Sequence, residues 1–174
     1  MPATSGEGSF GNVPKEPDKG TDMKRILIVA NRSATGAELI EEVRDRVRYE
    51  DAVFTLLVPA SPAPDRWVWD PSAEVEGARQ RLAEALVLLG ATGACVDGLV
   101  GDADPVEAVN DVLSQEPYDE IILSTLAPSR SSWARNGLAR RIERSWCIPV
   151  RQVSEREEPR SSRSFWPTQP APAA

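Results

Sequence analysis

Short apolar runs alternate with segments of helical periodicity through the middle of this chain, and few folds satisfy such a pattern. Arg25 to Ala30 (RILIVA) is a continuous apolar run of strand length. It is followed by Asn31-Arg32-Ser33-Ala34-Thr35-Gly36, a turn-forming stretch able to cap a helix. Leu39, Ile40, Val43 and Val47 then recur at three- and four-residue spacing, while Glu38, Glu41, Glu42, Arg44 and Asp45 fall elsewhere. An amphipathic helix is expected over about residues 36–48. Ala52 to Pro59 (AVFTLLVP) reads as a second buried strand, and Pro62, Pro64, Asp70 and Pro71 mark a long loop before a helix from Ala73 to Leu89. Trp67 and Trp69 in that loop are expected to cap the core, with a cleft lining as the other reading.

The pattern then repeats. Ala94 to Val100 is the third strand, and Gly101-Asp102-Ala103-Asp104-Pro105 turns into a helix from Val106 to Gln115 with proline in its first turn. Glu120 to Ser124 is the fourth strand, and a loop of small residues, Thr125 to Ser131, precedes a helix from Ser132 to Arg144. Cys147-Ile148-Pro149-Val150 begins a short fifth strand whose proline suits an edge. Five strands alternating with four helices imply an α/β fold: a five-stranded parallel sheet, Rossmann-like, with right-handed crossovers and helices on both faces. The expected strand order is 3-2-1-4-5. Ligands bind such sheets beyond the carboxyl ends of the strands, where the order reverses, which singles out Asn31 to Gly36, Gly101 to Asp104 and Ser124 to Ser132.

Composition removes several kinds of chemistry. The 174 residues contain no histidine, which excludes Ser-His-Asp and Cys-His relays and imidazole-based zinc sites. Cys95 and Cys147 stand far apart in apolar surroundings, form no CxxC pair, and are expected to be buried structural thiols. A net charge of -7 disfavours nucleic acid and anionic membranes as partners. Apolar runs are too short to span a bilayer and MPATSGEGSF has no signal-peptide character, so a cytoplasmic location is expected. Residues 1–22 and 154–174 lack a burial pattern and are expected to be flexible tails around a domain at 23–153.

Neither GxxxxGK[ST] nor GxGxxG follows the first strand. The anion-binding candidate is instead the last strand-loop-helix unit. There Ser124, Thr125, Ser129, Ser131 and Ser132 bring hydroxyls and backbone N–H groups to a helix start. Arg130, Arg135, Arg140, Arg141 and Arg144 add charge nearby, a solvated face being the plainer reading of the last three. Asp102 and Asp104 are candidates to grip magnesium or a ribose, although aspartate ahead of such a helix is an ordinary N-cap.

The order of elements, with RILIVAN, GDADPVEAVNDVL and DEIILSTLAPSRSSWARNGLARRIERSWCIPV, resembles the universal stress protein family over roughly residues 24–153. In that family the last segment matches a stretch carrying a G-x2-G-x9-G-[S/T] loop that wraps the phosphates of ATP. By spacing its four positions become Ser124, Ala127, Gly137 and Leu138, of which Gly137 alone keeps the family's residue type. Asn31 stands where ATP-binding members carry aspartate, turning an acceptor-only group into a donor and acceptor.

The resemblance implies a non-catalytic regulatory or binding domain that is not a standard ATP binder. It also implies a homodimer through the strand near Pro149 to Val153. The binding residues under this reading are Asn31, Gly101, Asp102, Ser124, Thr125, Ala127, Ser131, Ser132 and Gly137, with no catalytic or metal-ligating residue. A second reading is a stress sensor that binds ATP, AMP or another adenine nucleotide as its cofactor. A third is a metal-dependent hydrolase using Asp102 or Asp104. Phe165 and Trp166 in the C-terminal tail are a candidate docking peptide for a protein partner.

Overall fold

Continuous apolar strands demand cover on both faces, because successive side chains point to opposite sides of a sheet. The computed structural model describes residues 23–62 and 71–156. The segment 1–22, Trp67 and Trp69, and the part of 154–174 beyond residue 156, including Phe165 and Trp166, lie outside the described residues. The elements run β1 (Lys24–Val29), α1 (Ala37–Tyr49), β2 (Ala52–Pro59), α2 (Pro71–Gly90), β3 (Cys95–Gly101) and α3 (Pro105–Gln115). They continue as β4 (Glu120–Thr125), α4 (Ser132–Arg135), α5 (Leu138–Trp146) and β5 (Val150–Ser154). All strand pairings are parallel and the order is β3-β2-β1-β4-β5, as expected.

β1 shows how the two layers arise. Ile26 and Ile28 pack with Phe54, Leu56, Val58 and Ile122 against Leu39 and Val43 of α1 and Ala78, Ala85 and Leu89 of α2. Leu27 and Val29 point the other way, joining Leu57, Ile121 and Leu123 against Val109 and Val112 of α3 and Leu138 and Ile142 of α5. Residues 26 to 29 are all fully buried, so the unbroken apolar run is a central strand with a core on each side. Gly101 lets α3 approach β3 closely: a Cβ there would stand 2.7 Å from both Ala108 Cβ and Leu57 Cδ1. Its role is packing.

Three expectations are corrected. The helix expected from Ser132 to Arg144 is broken at Asn136-Gly137, since Gly137 takes the left-handed conformation, φ 63°, and α5 starts anew after it. The last strand begins at Val150 and runs to Ser154, because Cys147, φ 52°, turns the chain at the end of α5. Both cysteines are exposed. Cys95 opens the edge strand β3 and Cys147 sits on that turn, so neither reaches a core. Among the described residues no helix is long and apolar enough to cross a membrane.

Candidate functional site

The strand order reverses between β1 and β4, so the loops leaving their carboxyl ends diverge and open a crevice. After β1, Ala34 N donates to Asn31 O at 3.1 Å and Gly36 N to Ser33 O at 3.0 Å, folding the loop back over the sheet edge. Ser124 Oγ, at the end of β4, donates to Ser33 O at 3.3 Å and ties the two loops together. After β4, Ala127 O accepts from Arg130 N at 2.8 Å and Ser131 N at 3.0 Å. Ser131 Oγ then accepts from Ala134 N at 3.1 Å and caps α4.

These turns enclose a cleft of about 230 Å³. Its lining includes Asn31, Ser33, Ser61, Pro62, Ser124, Thr125, Leu126, Ser131, Ser132 and Trp133, together with three arginines, Arg32, Arg130 and Arg135. No carboxylate lines it among the described residues. Arg135 Nη1 is held by Ser129 O at 3.1 Å and Arg130 Nη2 by Glu155 Oε2 at 2.9 Å. Arg32 also acts electrostatically on Arg81, whose guanidinium is pushed below its ordinary range, first by burial, with Glu74 opposing and Arg32 reinforcing. Asn31 Oδ1 is buried and has no hydrogen-bond partner among the described residues. Asn31 is one of the lining residues, so this unpaired acceptor belongs to a side chain of the cleft.

Five of the nine expected binding residues meet here: Asn31, Ser124, Thr125, Ser131 and Ser132. Ala127 shapes the loop through its carbonyl but does not line the cleft, and neither do Gly101, Asp102 or Gly137. Asp102 Oδ1 accepts from Asp104 N at 2.8 Å, and Asp104 Oδ1 accepts from Val106 N at 2.7 Å, so the pair is engaged in the turn and the cap of α3. Among the described residues no three histidine, cysteine or acidic side chains converge as a metal site. Of the four positions matched to the phosphate loop, one lines the cleft. Ser124 lines the cleft, while Leu138 is buried in the core beneath α5 and Gly137 faces open space.

Arg32 and Leu126 fall within the loops that the sequence singled out but outside the nine expected binding residues, and Ser61, Pro62 and Trp133 were not expected in the cleft. Arg32 adjoins Asn31, and Ser61 lies just past the carboxyl end of β2, next to β1 in the sheet. Both positions were readable once that order was known. Trp133 carried no such signal, since its neighbours along the chain do not reveal which way it turns.

No family model and no curated relative matches the chain. Solved structures do. A protein from the universal stress protein family of Burkholderia pseudomallei superposes with a TM-score of 0.54 at 17% identity, over 75% of this chain and 95% of its own. The universal stress protein of Archaeoglobus fulgidus in complex with dAMP gives 0.53 at 12%, over 76% and 98%. A universal stress protein family protein from Arabidopsis thaliana with AMP bound gives 0.51 at 10%, over 76% and 92%. The chain has the fold of these proteins.

Proposed function

We propose that this chain is a non-catalytic regulatory module whose cleft holds an adenine nucleoside monophosphate. The observation that carries the reading is a cleft lined by three arginines, Arg32, Arg130 and Arg135, and, among the described residues, by no acidic side chain, in a chain whose net charge is -7. Arginine forks suit phosphate oxygens. The unpartnered Asn31 Oδ1 suits a donor such as the adenine amino group, and Trp133 offers an apolar face. A monophosphate is favoured over ATP for two reasons. The cleft lies below the roughly 300–1,000 Å³ of most small-molecule pockets, and of the four positions matched to the triphosphate loop Ser124 alone lines it. Two proteins of the same fold were solved with dAMP and AMP.

Catalysis is left out of the reading because the described lining holds hydroxyls, an amide and guanidinium groups, but no side chain suited to act as a general base near neutral pH. The edge strand β5 is proposed to pair with a second copy of the chain, and the two free, exposed thiols suit a reducing compartment such as the cytoplasm.

Isothermal titration with AMP and ATP tests the proposal. AMP is expected to bind once per chain and more tightly than ATP, and Arg135→Gln should weaken AMP about tenfold, the scale of one charge-assisted hydrogen bond. Absence of binding at millimolar AMP refutes the reading.

A further inference from the structure

The positive side of the cleft already holds an anion belonging to the protein. Arg130 Nη2 donates to Glu155 Oε2 at 2.9 Å, and Glu155 comes directly after β5. The Glu155 side chain is 22% exposed, whereas that of Arg130 is 61% exposed, so the carboxylate is the better anchored partner. Its backbone is fixed too: Glu155 N donates to Thr125 O at 3.0 Å, and Thr125 is itself a cleft residue. One residue on, Arg156 N donates to Glu38 Oε1 at 3.1 Å, on the first turn of α1. A Cβ on Gly36 would stand 3.5 Å from Glu155 Oε1, so the loop after β1 lies against the same carboxylate. The end of β5 thus bridges the two loops that form the crevice and presents one negative charge to a guanidinium of the cleft.

We propose that Glu155 is a specificity-determining residue: an internal anion that a ligand phosphate must displace from Arg130. The inference rests on reading the cleft as a nucleoside monophosphate site. A phosphate monoester carries more charge and more acceptor oxygens than a carboxylate, so it takes the guanidinium from Glu155. A neutral nucleoside has nothing to exchange for that ion pair, leaves it in place and gains nothing from Arg130. Glu155 therefore lowers affinity for phosphate-bearing ligands without affecting uncharged ones, and sets how strongly anionic a ligand must be to enter.

The test is calorimetric titration of AMP and adenosine into the wild-type chain, Glu155→Gln, Arg130→Gln and the double variant. Circular dichroism confirms that each is folded; Glu155→Gln keeps the backbone bond to Thr125. Removing the competing carboxylate is expected to tighten AMP by about two- to fivefold, the scale of one exposed ion pair, and to leave adenosine unchanged. Arg130→Gln should weaken AMP and remove the effect of Glu155→Gln, a non-additive cycle. Equal AMP affinity in wild type and Glu155→Gln overturns the inference while the cleft reading stands, as does an equal gain for adenosine. Absence of AMP binding in all four chains overturns both.

Discussion

Replacing Glu120 with glutamine removes the hub of an ion-pair cluster at the amino ends of β1 and β4, away from the cleft. Glu120 Oε1 accepts from Arg46 Nη2 at 2.6 Å, and Oε2 from Arg46 Nη1 at 2.9 Å and Lys24 Nζ at 2.6 Å. The Glu120 side chain is 11% exposed and that of Arg46 15%. Stripping one partner from a buried pair costs about 3–5 kcal/mol where the other charge is left alone. Here Arg46 keeps Glu42 and Glu50, and Lys24 keeps Glu50, so the loss should be smaller. About 2 kcal/mol is expected, equivalent to a fall in Tm of roughly 7 °C for a domain of this size.

The pH dependence gives the sharper signature. Burial alone would raise the Glu120 carboxyl, but the hydrogen bonds from Arg46 and Lys24 outweigh it and hold it below its ordinary 4.5. A carboxyl depressed in the folded state contributes stability that is fully present above its unfolded pKa and disappears as pH falls through the folded one. The gap between wild type and Glu120→Gln should therefore be constant near neutrality and close progressively below about pH 4.5. Urea unfolding across an acid series measures it. A gap under about 0.5 kcal/mol at neutral pH, or one that persists undiminished in acid, refutes the reasoning.

Two glycines test packing against binding. Gly137→Ala meets no atom within 4 Å, so its expected cost is the left-handed strain alone, about 1–2 kcal/mol by thermal unfolding. AMP affinity should stay unchanged because Gly137 lies outside the cleft; a marked fall would restore it to the binding site. Gly101→Ala should cost about 1–3 kcal/mol by urea unfolding, since the added methyl overlaps Ala108 and Leu57. Wild-type stability in that variant would show that α3 does not approach β3 so closely.

Much of the fold was legible because burial writes itself locally. RILIVA and EIILS are continuous apolar runs because β1 and β4 are central strands, and Leu39 and Val43 share a helical stripe because α1 covers one face. Asp104, two residues before Val106, was readable as an N-cap because capping involves only neighbouring backbone N–H groups. The break at Gly137 was less legible. A lone glycine inside a helical pattern is often tolerated, and here the left-handed turn goes with the packing of Leu138 and Ile142 into the core.

The cleft is the part that local patterns contain least. Asn31, Ser124, Thr125, Ser131 and Ser132 were nameable in advance because loops at the carboxyl ends of parallel strands form a small set once alternation is recognised. Which of the nine candidates meet was decided by three-dimensional approach. α3 packs onto β3 and fills the space at Gly101, and α5 draws Leu138 into the core. The cysteines show the same division, for apolar neighbours in sequence suggested burial, yet an edge strand and a left-handed turn leave both exposed.

The sequence by itself determined the kind of fold, the central strands and the absence of histidine chemistry, because periodicity and composition are properties of neighbouring residues. Only the tertiary structure decided that Arg32, Arg130 and Arg135 line one cleft, that Asn31 Oδ1 lacks a partner among the described residues, and that Glu155 meets Arg130 across 25 positions of chain. Such contacts depend on strand order and on where each loop turns, and residues distant in the chain carry no mutual signal until the sheet brings them together.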